Sequence, residues 1–288
     1  MSSPRFSVCE FTTLSLGLEE ELAVLREAGC EGIGICEAKL PEGSDAEAAA
    51  AVRDSGLRAS VCLLATLSVL PLAKFEGPAD PAERVARLCA GVRRLAPFEP
   101  ACLYVLTGPQ GSLPYREARR IAIEGLRAVA ETAADVGIPL GLEPIHASIR
   151  DNWTLATTIP ETLDLVEEVG VPGFGVGFDV WHLWDTPDLL ENIREHASQI
   201  VGVHVNDWRD PTRGWNDRVL PGEGVIDLPG IFGALEASGY DGWYDLEVFS
   251  DDGTFEDDYP DSLWKQPAGD VVRRGREGFL RAWEARRS

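Results

Sequence analysis

The sequence predicts a closed (β/α)8 barrel, a TIM barrel of the α/β class, built as a single domain over residues 1–288. Short apolar runs alternate with amphipathic helical stretches eight times along the chain. The links from each helix to the next run are short and usually marked by glycine, as in EAGCEGIGI, DSGLRASV and DVGIPLGL. The 288 residues are 44% hydrophobic, enough for one large core; barrels of this kind typically need about 250 residues.

The elements follow in order. Predicted strands at 6–10, 32–36, 58–64, 101–106, 139–143, 174–179, 200–204 and 243–247 are short and mostly apolar, as strands covered on both faces should be. The helices expected after them lie near 18–28, 45–55, 81–94, 115–136, 159–169, 189–197, 228–238 and 269–285. The fourth is the clearest. Ile121, Leu126, Val129 and Ala133 recur at helical spacing among Arg119, Glu124, Arg127 and Glu131. Gly29, Gly56, Gly137, Gly170 and Gly239 each follow a helical run where a left-handed cap is needed. No GxGxxG follows the first strand, which disfavours an open doubly wound sheet. The longer segments near 65–80, 144–158, 205–227 and 248–268 fall on the face where barrels carry their sites.

Charge and composition narrow the partners. With 48 acidic and 26 basic side chains the net charge is −22, which argues against nucleic acid and against an anionic membrane surface. A small anion stays possible, because one local arginine can outweigh a distant net charge. No run approaches the ~18 apolar residues of a membrane span, and residues 1–15 lack a signal-peptide core, so the expected location is the cytoplasm. Cys9, Cys30, Cys36, Cys62, Cys89 and Cys102 form no CxxC pair and are expected as reduced, buried small hydrophobes. A homo-oligomer stays open.

The chemistry concentrates at four strand ends: Glu143 in GLEP, Asp179 in GFDVWH, His204 in GVHV and Glu247 in DLEVF. Side chains there converge on one central pocket. A charged residue closing an apolar strand is costly unless it is paired or metal-bound. One such residue is more simply a solvated strand end, but four in succession point to a divalent ion. Mn2+ is expected, with Zn2+, Co2+ or Mg2+ as alternatives for this donor set.

Other residues are placed by spacing. His182 and His146, three residues beyond Asp179 and Glu143, could reach the pocket or simply pack; His196 falls in a helical run and reads as surface. Arg209, Arg213 and Arg218 follow His204 as candidates to hold a substrate oxygen; a surface ion pair is the simpler reading for Arg213, the pocket for Arg218. PGEG then makes a tight turn before Asp227, a candidate helix N-cap. Trp153, Trp181, Trp184, Trp208, Trp215 and Trp264 could stack on a sugar or cyclitol ring, pack loops or line a subunit contact. The acidic stretch SDDGTFEDDYPD reads as a solvated loop, with SLWK beyond it closing over the pocket.

LEPIH, GFDVWH, VHVNDWR, DRVLPGEGVIDL and DLEVF carry a resemblance, strongest over 140–247. The chain resembles the sugar isomerase/epimerase superfamily of xylose isomerase-like barrels, and among them most resembles inosose (keto-inositol) isomerases, with ketose 3-epimerases as relatives. The resemblance implies that Glu143, Asp179, His204 and Glu247 bind the metal, that Glu143 and Glu247 are the acid/base pair, and that His182 and Arg218 contact substrate. His146 and Arg209 join them as candidate contacts by position. The implied reaction is isomerisation or epimerisation of a keto-sugar or keto-cyclitol. Metal would stabilise an enediolate while two glutamates exchange protons on opposite faces. The alternative is a lyase or dehydratase working by β-elimination on a 3-keto sugar or glycoside. A DNA-repair endonuclease on the same barrel is disfavoured, since its trinuclear site needs many histidines and this chain has four, none in the first 145 residues. A non-catalytic binding role is the remaining reading. The N-terminal third matches only in general pattern, which leaves the specificity loops near 10–14, 37–43 and 65–75 unread.

Overall fold

Runs such as Cys102–Leu106 and Phe174–Asp179 have no polar face, so each must be covered on both sides. In the computed structural model, which describes residues 3–73, 75 and 77–286, every residue of both runs is buried. The described chain includes the expected 65–80 segment apart from residues 74 and 76, which lie outside the description. The strands are β1 Arg5–Cys9, β2 Gly32–Gly34, β3 Arg58–Ala59, β4 Val61–Ser68, β5 Cys102–Leu106 and β6 Leu140–Leu142. They continue as β7 Phe174–Asp179, β8 Ile200–Val205, β9 Asp207–Trp208, β10 Arg218–Val219 and β11 Trp243–Leu246.

Parallel pairing joins nine of these in the order β3-β2-β1-β11-β8-β7-β6-β5-β4. The expected (β/α)8 barrel is present: β3 and β4 are one strand interrupted at Ser60. The first piece pairs with β2 and the second with β5. Closure comes from the amides of Ser60 and Leu63, which donate to Ile33 O at 2.9 Å and Ile35 O at 2.8 Å.

Ten helices are described: α1 Leu18–Glu27, α2 Asp45–Ser55, α3 Pro81–Leu95, α4 Tyr115–Asp135, α5 Arg150–Trp153, α6 Ile159–Val169, α7 Val180–Leu183, α8 Leu189–His196, α9 Leu228–Ala237 and α10 Ala268–Ala285. On α4, Leu126, Val129 and Ala133 are buried as the spacing requires, and Ile121 is half-buried at the edge of that face. All five expected glycine caps have positive φ, from 67° to 84°. Asp80, Thr158 and Asp227 cap α3, α6 and α9 by accepting backbone N–H groups. Among the described residues no helix is long and apolar enough to cross a membrane. All six cysteines are free thiols, five of them buried and Cys89 half-buried.

The segment 205–227 was expected as a loop and contains more. There β9 and β10 pair antiparallel, with Arg218 opposite Trp208 and Val219 opposite Asp207. This small hairpin stands directly after β8, over the barrel mouth, and brings Arg218 to the ends of the barrel strands.

Candidate metal centre

Four neighbouring strands deliver the four expected ligands. Glu143 lies one residue past β6, Asp179 ends β7, His204 is in β8, and Glu247 lies one residue past β11. One donor atom from each comes within 4.8 Å of the others, and all four residues are buried. His204 Nδ1 stands 3.5 Å from Glu143 Oε1 and 3.4 Å from Glu247 Oε2. Neither Glu143 Oε1 nor His204 Nδ1 has a hydrogen-bond partner. An unpartnered buried polar atom costs about 1–3 kcal/mol, so two facing each other are a reason to look for a ligand between them. Three carboxylates and one imidazole are donors that a divalent cation accepts. The residues fit a divalent ion.

Arg218 closes the cluster from β10. Its NH1 donates to Asp179 Oδ2 at 2.7 Å and to Glu247 Oε2 at 3.0 Å, and its NH2 lies 3.3 Å from His182 Nε2. The guanidinium is sandwiched by rings, 5.1 Å from the centre of Trp181 and 5.0 Å from that of Phe249. Asp179 Oδ1 accepts from the Trp181 amide at 2.8 Å, capping α7, and that turn carries His182 back over the pocket. The His146 amide donates to His182 Nδ1 at 3.2 Å and sets the ring's orientation. Asn206 steadies two of the ligands, donating to Asp179 Oδ1 and to Glu247 O at 3.0 and 3.1 Å. Asp207 accepts the amides of Gly222, Gly224 and Ile226 at 2.9–3.1 Å, which holds the PGEG turn and so places Arg218.

The sequence profile of the family described as "Xylose isomerase-like TIM barrel" matches residues 22–282. The chain belongs to this family. A human protein named "Putative hydroxypyruvate isomerase" is 30% identical over 280 residues, covering 92% of this chain and 90% of its own length. An inosose isomerase of Bacillus velezensis is 28% identical over 138 residues, 46% of this chain and 48% of that one, so the match spans about half of each. A crystal structure of a protein from Sinorhizobium meliloti 1021 aligns at a TM-score of 0.84 with 28% identity, over 96% of this chain and 98% of that one.

Burial dominates the electrostatics of this xylose isomerase-like mouth. It raises Glu143 to about 7 against the pull of His204, and it raises Glu247 against the pull of His204 and Arg218. For Asp179 burial works upward too, but Arg218 and the histidines win and hold the carboxyl below its usual value. Burial lowers His182 to about 3, with Arg218 adding to that effect, so its imidazole is neutral. His204 goes the other way. Burial opposes its charge, yet Glu247 and Glu143 raise it to about 10.

The pocket of this xylose isomerase-like barrel contains Glu143, His182, Arg218 and Glu247 on a wall of rings that includes Phe11, Phe75, Trp153, Trp215 and Phe249. Neither His146 nor Arg209 is among the described residues that line it. The His146 ring packs on Trp208 with centroids 4.8 Å apart, and its Nδ1 accepts the Ser148 amide, capping the next turn. Arg209 pairs with buried Asp217 at 2.8 Å and exposed Asp261 at 3.2 Å, beside Arg213, which pairs with the same two carboxylates, one buried and one at the surface. His196 lies away from the mouth on α8.

Of the six loop tryptophans, Trp153 and Trp215 reach the pocket. Trp181 and Trp184 pack at a tilt on Trp208 instead, at 4.5 and 5.4 Å. Trp264 of SLWK backs Phe249 and donates to Val248 O at 3.1 Å, so this segment supports the wall rather than closing over the pocket. From the acidic stretch, Phe255 joins the same ring cluster, 5.5 Å from Trp215. Sequence reasoning also passed over Asn206, Asp207, Tyr104 and Asp245. The first two stand beside ligand-bearing strand ends, a signal that was readable. Tyr104 packs its ring on His204 at 4.6 Å, in space that Gly177 leaves open: a Cβ there would come within 2.9 Å of the phenol.

Proposed function

We propose that this chain is a single-domain, divalent-metal-dependent isomerase or epimerase of an α-hydroxyketone, of the keto-sugar or keto-cyclitol (inosose-like) type. The observation that carries this reading is the pair of buried carboxylates, Glu143 and Glu247, flanking His204 in one ring-walled pocket. Glu143, Asp179, His204 and Glu247 would hold the ion, Mn2+ being the expected one. When bound, it supplies Lewis acidity that makes the C–H beside a substrate carbonyl easier to ionise.

The chain's own residues do the rest. Glu143 and Glu247 rise from strands separated by β7 and β8, so they approach the pocket from two sides. One takes the proton from carbon and the other delivers one. Glu143 lines the pocket with no arginine on its carboxylate among the described residues, which would leave it open to receive a proton. Glu247 is held by Arg218, which keeps its orientation. Neutral His182 and Arg218 line the same pocket and would bind substrate oxygens. The ring wall keeps water off the ionised carbon. Return of the proton to the same carbon on its other face gives an epimer; return to the neighbouring carbon, with the hydroxyl proton passing to the former carbonyl oxygen, gives an isomer.

A second reading takes its support from the human relative aligned over 92% of this chain: a three-carbon hydroxy-keto acid, whose carboxylate Arg218 would meet. The test is incubation with Mn2+ in deuterated water, using inosose, a panel of ketoses and hydroxypyruvate. Carbon-bound deuterium in a product of unchanged composition is the expected result, and the substrate that exchanges decides between the readings. Release of water or an aglycone would instead identify an eliminating enzyme. No exchange with any of them overturns the proposal.

A further inference from the structure

A second carboxylate, Asp245, points inward from β11. It lies two residues before Glu247 and therefore on the same face of the chain. Its residue is fully buried. Oδ1 accepts hydrogen bonds from the hydroxyls of Ser7 on β1 and of Ser60, the latter at 3.0 Å. Ser60 is the residue at which the third barrel strand breaks. Oδ2 has no hydrogen-bond partner, and it faces Nε2 of His204 at 3.8 Å, which has none either. Space for this carboxylate is made by Gly34 on β2, where a Cβ would stand 2.5 Å from Oδ2.

These contacts set up a polar line through the barrel axis: two serines, Asp245, His204 and then the ligand cluster. An imidazole that donates its Nδ1 lone pair to a metal must carry its proton on Nε2. The carboxylate oxygen at Nε2 favours that tautomer, because the opposite one would set a lone pair against Oδ2. The two serines saturate Oδ1 and leave Oδ2 aimed at the ring. A buried carboxylate with one bare oxygen is costly to keep, and the histidine is the group that uses it.

We propose that Asp245 is a positioning residue, which with Ser7 and Ser60 orients His204 so that its Nδ1 lone pair faces the metal. This rests on the metal reading above. The test is Asp245→Asn, which can keep both serine bonds but presents an N–H to Nε2 and so favours the proton on Nδ1, the ligating atom. Mn2+ binding is measured by calorimetry, and histidine coordination by the nitrogen hyperfine coupling in pulsed EPR of bound Mn2+. The variant is expected to bind Mn2+ about 10–100-fold more weakly than the wild type and to lose the nitrogen coupling. A merely structural role would lower the melting temperature and leave affinity and coupling alone. Equal affinity and coupling in the two proteins overturns the inference while the metal reading stands. A wild type that binds none of Mn2+, Zn2+, Co2+ or Mg2+ removes the metal reading itself, and this inference with it. Should Asp245→Asn fail to fold, Ser7→Ala and Ser60→Ala carry the test. Each frees Asp245 to turn and should weaken binding roughly threefold to tenfold, within the reach of outer partners of metal ligands. Unchanged affinity in both overturns the inference.

Discussion

The two halves of the barrel mouth grow from the same strand-and-helix repeat and hold opposite chemistry. From β1, β2, β4 and β5 come Cys9, Cys36, Val61, Leu63, Cys102 and Tyr104, packed as one buried cluster. From β6, β7, β8 and β11 come Glu143, Asp179, His204, Asp245 and Glu247. The halves meet where Cys9 Sγ lies 3.9 Å from Glu247 Oε1. The first half gives these charges two serine hydroxyls, both on Asp245, and the Cys9 thiol, so Glu143, Asp179 and Glu247 are answered mainly by His204 and Arg218. That is why burial heads the causes raising Glu143, Asp245 and Glu247. The apolar half is thus part of the reactive one: it supplies the dry surroundings in which a carboxylate can hold a proton near neutral pH.

Substitutions can break this contrast on either side. The largest effect is expected from Glu143→Gln and Glu247→Gln. Each should cut turnover by about 10³-fold, within the range of lost general acid–base catalysis, with circular dichroism unchanged. Near-normal kcat in either would remove the acid/base pair. His204→Ala should lose most bound metal, read by elemental analysis of the purified protein.

Next is pH. Glu143 has a folded value near 7 against an ordinary 4.5, and His204 one near 10 against 6.5. Both are raised, so the stability each contributes is complete below its ordinary value and is lost as pH climbs through the folded one. Metal-free protein should therefore melt at a lower temperature at pH 9 than at pH 6, with a slope of up to about 1.4 kcal/mol per pH unit for each group. Asp179, held below its ordinary value, loses its contribution only on the acid side. Added Mn2+ should reverse the alkaline slope, because the ligands must shed protons to bind. A flat profile would mean that the apolar half does not desolvate the ligands.

On the apolar side, Phe11→Ala removes a ring packed at a tilt 4.8 Å from Phe249. KM should rise about tenfold, roughly 1.4 kcal/mol of binding, with metal content unchanged. The smallest effect belongs to Arg209→Ala. kcat/KM should stay within about twofold, and stability should fall by about 1 kcal/mol or less.

The cluster of Glu143, Asp179, His204 and Glu247 could be read from the sequence because each closes an apolar strand with a polar side chain, and the barrel repeat says where strand ends converge. Asp245 carries the same mark, inside DLEVF, but nothing local shows that its partners are Ser7 and Ser60, 238 and 185 residues away. Arg209 and Arg218 look equivalent in a linear segment. The β9–β10 pairing separates them, turning Arg218 inward and leaving Arg209 to Asp217. The break at Ser60 was invisible for a similar reason, since the run from 58 to 64 has the pattern of one continuous strand. Short-range signals point to the elements and the four-residue cluster; contacts between distant strands decide which polar residues support it.

The hairpin has a consequence for how such a site can change. One carboxylate, Asp207, latches the far turn through three amides, and Asn206 beside it is tied to the ligand strands. Residues 209–217 lie outside that latch, joining the paired ends. Length and composition can vary at the tip of this stretch, residues 210–212, while Arg218 keeps its station, because the rest is fixed: Trp215 lines the pocket, and Asn216 and Asp217 are fully buried. New substrate grips can be tried at that tip, by evolution or by design, without disturbing the strand ends beneath.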